Sequence, residues 1–129
     1  MDSDRDYPPL YLSGIEEFNR HAYFESHEVW EGLWRDAEGV RKQFYKGLIQ
    51  LAGGFVHLQK QRLGPAARLF GLALTNFEPY AAYHDGIDLN AIRDLCRNHR
   101  QAIIDSGETL NPWTSRAAPQ LALPRAEFC

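Results

Sequence analysis

His27 and Glu31 stand four residues apart in a segment, Tyr23 to Trp34, that reads as a helix. At that spacing their side chains are neighbours on consecutive turns. An imidazole and a carboxylate so placed can pass a proton between them or occupy two positions around a metal ion. At about 100° per residue, Tyr23, His27, Trp30, Glu31 and Trp34 share one stripe of the helix. The two tryptophans turn that stripe inward, and charge buried beside them is costly unless it is paired or bound. Glu28 falls on the solvent side, where a carboxylate in the first turns offsets the helix dipole. The run His27-Glu28-Val29-Trp30-Glu31 departs from the zinc-protease pattern HExxH, because Glu31 stands where the second histidine would be. The metal site of that motif cannot form.

A second group of polar residues lies further along the chain. Gln50, Gly54 and His57 share a flank of a long apolar helix, with Lys46 and Gly53 beside them. Glycine inside a helix costs about 1 kcal/mol relative to alanine, which is tolerable where another backbone comes close. If the second helix packs antiparallel on this flank, His27 and Glu31 approach Gln50 and His57. His27, Glu31 and His57 would then make a three-ligand set with an open position, as catalytic zinc requires. Glu28 or Gln50 would orient a water. The same residues also suit a structural role. A buried histidine needs only one hydrogen-bond partner, which Glu31 could be for His27, and Gln50 could bond across a helix pair.

The elements that must position these residues are helical throughout. Ser13-Gly14-Ile15-Glu16 has capping-box form and starts a first helix running to about Arg20. A second covers roughly 23–37. The third, about 41–62, carries Phe44, Leu48, Leu51, Phe55 and Leu58 on one stripe and is the longest. Gly64-Pro65 separates it from a fourth helix that ends or kinks at Pro79. Asp88 can cap a fifth, with Gly107 at its far end. No strand pattern competes. The expectation is an all-α bundle of about five helices around a central third helix: 1–12 extended, 13–107 the helical domain, 108–129 a tail pinned by Trp113. The tail's apolar residues Trp113, Leu121, Leu123 and Phe128 must dock on their own domain or on a second copy, as in a homodimer.

Composition narrows the function classes. The chain has 129 residues, 44% hydrophobic and 24% charged, enough for one domain with a core. No apolar run reaches the ~20 residues of a membrane span. Two cysteines, Cys96 and Cys129, and the absence of a signal-peptide pattern point to a reducing cytoplasm. A net charge of −3 disfavours nucleic acid. Charge is uneven, however: residues 1–38 carry ten acids and three bases, and residues 39–77 carry six bases and no acid. Either these segments compensate each other on packing, or the basic one serves an anionic ligand. No G-x-S-x-G or Gly-rich phosphate loop occurs, which argues against acyl-enzyme chemistry and nucleotide hydrolysis.

Phe18-Asn19, Tyr23-Phe24-Glu25, His27-Glu28, Glu31 and Trp34 together resemble the signature of a small all-helical family. It is known as domain of unknown function number three hundred and nine. The resemblance continues through Leu48-Ile49-Gln50-Leu51-Ala52, His57, Gly64 and Ala66-Ala67, spanning roughly residues 13–80. Family members often carry the label of predicted metal-dependent hydrolase, which implies a divalent metal such as zinc; the label names no substrate, and any small-molecule substrate is unknown. Where the family commonly has glycine two residues before the tyrosine, this chain has His21, an expensive choice if the backbone there is left-handed. Two function classes stand side by side. One is a metal-assisted hydrolase using His27, Glu31 and His57. The other is a non-catalytic helical interaction or homo-oligomerisation module whose polar cluster fixes helix register.

Overall fold

The apolar stripes fold as their 3.6-residue period requires. A computed structural model describes residues 7–124. Its helices are α1 (Pro9–Asn19), α2 (Tyr23–Arg35), α3 (Val40–Gln59), α4 (Leu63–Phe77) and α5 (Leu89–Asp105). The longest, α3, contacts α2 and α4, while α1 packs on α2 and α5 on α4. Rings from α1 also reach α3: Phe18 meets Phe55 edge-on, and Tyr11 lies against Phe44 and Tyr45. Phe44, Leu48, Leu51, Phe55 and Leu58 are fully buried along α3, forming the stripe the sequence predicts.

The close fit of α3 against α4 depends on two glycines. A Cβ on Gly54 would stand 2.5 Å from the Phe70 ring, and one on Gly47 would stand 2.5 Å from Phe77. Each phenylalanine fills the space that a side chain on α3 would occupy, so the helix-propensity cost of glycine is offset by packing.

Several expectations need correction. The first helix begins at Pro9, not at Ser13, so residues 9–12 are helical rather than extended. Proline at the first helical position, with its fixed φ and missing N–H, starts the helix without the capping box. The burial of Tyr11, whose hydroxyl donates to the Asp85 carbonyl at 2.7 Å, holds this turn in place. A small antiparallel hairpin, β1 (Tyr83–His84) with β2 (Ile87–Asp88), was not anticipated. Its turn, Asp85-Gly86, has positive φ at both residues, the pattern that Asp-Gly favours. Asp88 does cap α5, accepting from the Ala91 amide, and Gly107 follows the helix with φ +65°.

The tail docks on its own domain. The Trp113 indole donates to the Tyr23 hydroxyl at 3.0 Å, and the Asn111 amide donates to the Leu58 carbonyl at 2.7 Å. The Asn19 side chain bonds both the carbonyl and the amide of Leu121, as a neighbouring strand would. Phe128 and Cys129 lie outside the described residues.

Gly54→Ala should destabilise the protein by about 1–3 kcal/mol through overpacking against Phe70, outweighing the gain of about 1 kcal/mol in helix propensity. Urea denaturation measures the difference; a stabilised variant would contradict the packing account.

Candidate functional site

Helix α2 reaches α3 in a constant antiparallel register. The His21 carbonyl accepts from Gln59 Nε2 at 3.1 Å. Six residues along, the Cδ2 edge of His27 lies 3.8 Å from where a Gly53 Cβ would stand. Seven more bring the Trp34 ring under the Lys46 ammonium, 4.5 Å from the ring centroid. Equal steps along the two chains match throughout, which places Tyr23 level with His57 and Glu31 level with Ile49 and Gln50. His21, which opens α2's approach, has φ +67°, so the left-handed position is real and is held by a non-glycine residue.

Each predicted site residue can now be placed. His27, Glu31, Gln50 and His57 are all half-buried, while Glu28 is exposed. Tyr23 and Trp30 are buried behind them. Gln50 is engaged: its side-chain oxygen accepts from Asn76 on α4 at 2.6 Å, an inter-helix lock. Trp34 carries Lys42 and Lys46 over its ring, at 4.3 and 4.5 Å from the centroid. Lys42 also donates to the Trp34 carbonyl.

His27, Glu31 and His57 are different. None of the three side chains makes a hydrogen bond or ion pair with another described residue. Glu31 is therefore not the partner of His27. The Nδ1 atoms of His27 and His57 are buried and unpartnered. Neither Nε2 joins that buried set, so each ring keeps the other nitrogen accessible. A buried polar atom without a partner costs about 1–3 kcal/mol. The fold carries that cost twice on neighbouring turns of one flank. Two imidazoles and a carboxylate suit zinc and similar divalent ions. They are not gathered, however: among the described residues no group of three or more His, Cys, Asp or Glu side chains is arranged to hold a metal ion. Bringing them together would require rotation about side-chain bonds on fixed helices.

His57 is held below its ordinary value of 6.5, first by burial and then by the positive charges of Arg62, Lys60 and Arg68. His99 carries no strong signal in the sequence, yet its ring packs against both Phe55 and Phe70, which also touch each other. Burial pushes its pKa down, while its Nδ1 donates to the Leu95 carbonyl. The signal for it was its place on the α5 stripe seven residues after Ile92. A recess of about 400 Å³ lined in part by Gly39, Gln43, Pro79, Tyr80 and His84 lies at the opposite end of α3. No member of the candidate set reaches it.

Residues 11–69 match the family described as Domain of unknown function (DUF309). The match covers His27, Glu28, Glu31, Gln50 and His57. The chain is also 30% identical over 117 residues to the uncharacterized protein YpuF of Bacillus subtilis (strain 168). That alignment takes in 88% of this chain, and the chain spans 65% of the length of that relative. No helix among the described residues is long and apolar enough to cross a membrane.

The histidine shifts set a pH dependence. Both His57 and His99 have pKa values lowered by folding, so their contribution to stability is present above 6.5 and is lost as pH falls through the lowered values. Urea midpoints should therefore drop between about pH 7.5 and pH 5, and NMR titration of the ring protons should place both midpoints below the ordinary value. A His57 midpoint above it would contradict the basic, partly desolvated surroundings.

Proposed function

We propose that the α2–α3 flank bearing His27, Glu31 and His57 is a hydrolytic site that binds a divalent metal through rotation of these side chains. The observation that carries the reading is the pair of buried, unpartnered Nδ1 atoms on His27 and His57 beside an unpaired Glu31. His27 and Glu31, one turn apart on α2, and His57 on α3 would hold the ion. A bound ion of this class supplies Lewis-acid polarisation and lowers the pKa of water. His57, kept neutral at pH 7 by its lowered pKa, can offer a ring lone pair to the ion without first losing a proton. The free amide N–H groups of Gln50, whose oxygen is fixed by Asn76, can orient a water, and Glu28 offers a carboxylate from the adjoining exposed face. The small-molecule substrate would enter from the solvent side of α2.

A second reading is favoured by the Gln50–Asn76 lock: the polar cluster fixes helix register in a non-catalytic module, with homodimerisation through exposed Phe24 and Leu72. The two readings separate in one experiment. Protein stripped with chelator and titrated with zinc by calorimetry should bind one equivalent with a Kd of about 1 μM or tighter. His27→Ala and His57→Ala should each weaken it about tenfold or more. Binding absent from the wild type, or unchanged in both variants, overturns the metal reading. A dimer by light scattering in that case supports the module.

A further inference from the structure

We infer that the recess beside the first turn of α3 binds a flat aromatic ligand whose O–H or N–H group donates to Nδ1 of His84. The inference goes beyond the proposed function. The recess lies at the opposite end of α3 from His57 and shares no residue with that site.

The hairpin and two rings fix the position of His84. Its backbone pairs with Ile87 across the two strands. Phe44 meets the imidazole edge-on, with 4.6 Å between ring centroids, and Tyr80 lies tilted against it at 4.8 Å. Nε2 is buried and makes no hydrogen bond, and the Asp85 carboxylate stands 3.9 Å from it. Nδ1 does not join the buried set and has no partner among the described residues. It is the nitrogen left open where His84 lines the recess.

The neighbouring carboxylate decides what that nitrogen can bind. A neutral imidazole carries one N–H and one acceptor nitrogen. The negative charge of Asp85 favours the proton on Nε2, which leaves the lone pair on Nδ1. Asp85 is itself held in place. Arg41 pairs with its carboxylate at 3.2 Å, and its backbone carbonyl accepts from the Tyr11 hydroxyl. The group that meets Nδ1 must therefore be a donor.

The walls select the rest of the ligand. Val40, Pro79, Ala81 and the Tyr80 ring border a space of about 400 Å³, which is within the range of small-molecule pockets. The Tyr80 hydroxyl donates to the Val40 carbonyl, so this residue offers its ring rather than its polar end. Arg93 donates to the carbonyls of Phe77 and Tyr80, which holds the intervening turn against α5. The wall is thus built before a ligand arrives. A planar ring can stack or meet edge-on with Tyr80 and His84. Gln43, exposed in the same lining, offers an amide to a second polar substituent.

The test uses the full-length protein at pH 7.5 with phenol and its methyl ether, anisole, as probes, followed by NMR of backbone amides and histidine rings. Phenol should give saturable shifts at Val40, Gln43, Tyr80 and His84, with a Kd of about 1 mM or tighter. Anisole has the same ring and no donor, so it should bind about fivefold or more weakly. His84→Phe keeps a ring against Phe44 and Tyr80 and removes the acceptor, so it should bind the two probes alike. Arg68→Gln, near the start of α4, should leave the phenol Kd unchanged. The comparison of probes on the wild type needs no variant and decides the matter even if His84→Phe fails to fold. Absent or non-saturable shifts, equal affinity of the wild type for both probes, or a phenol preference retained by a folded His84→Phe would overturn the inference. Recess shifts that depend on protein concentration without any probe would place a second copy of the chain there and would also overturn it.

Discussion

Two phenylalanines of α4 set into two glycines of α3 determine the spacing on which the rest of the structure depends. Gly47 and Gly54 are seven residues apart, as are Phe77 and Phe70, so the two contacts lie along one antiparallel seam. The seam brings the helices close enough for Asn76 to reach Gln50 and for Leu69 to rest on Gly53. Larger residues at either glycine would push α4 outward and open both contacts. Ring burial offsets the conformational cost of two mid-helix glycines, and the net result is a fixed helix-to-helix distance.

With α3 held on that side, α2 and the tail close on the other. The Tyr23 ring stacks on Phe55 while its hydroxyl accepts from Trp113, so the first turn of α2 is fixed from within and from above. His27 and His57 thereby occupy positions set by helices that cannot easily shift. Their Nδ1 atoms are left without a donor or acceptor from any described residue. Polar atoms stranded in this way are where a protein departs from its own packing rules, and such departures concentrate at functional positions.

Electrostatics follow from the same arrangement. Arg41 pairs with Asp85, and the remaining bases of α3 and its C-terminal turn divide into two groups. Lys42 and Lys46 are absorbed by the Trp34 ring, a contact between cation and π-face that needs no carboxylate. Lys60, with Arg62 and Arg68 just beyond, is left at the opposite end and lowers the proton affinity of His57. Among the described residues no acid of the first segment forms an ion pair with these bases.

Much of this was legible in the sequence. The 3.6-residue periods of Phe44–Leu58 and Ala66–Phe77 determined helices, and Asp88 and Gly107 marked the start and end of α5, because these signals act within a few residues. Gly64-Pro65 did not mark the break before α4: α3 ends at Gln59, short of the expected 62, and Gly64 and Pro65 lie in the first turn of α4. The alignment of His27 with Glu31 was equally local, and so was the cost of His21. Some features were local but carried weaker signals: the hairpin at Asp85-Gly86 rests on two strand residues a side, and Pro9 outweighed the capping box at Ser13 once Tyr11 was buried. What only the tertiary structure decided is partnership. The sequence could not show that Gln50 would bond Asn76, that Glu31 would leave His27 alone, or that His99 would pack against Phe55 and Phe70. Each of these depends on which helix faces which and at what distance, and that was set by glycine–ring contacts made between separate helices.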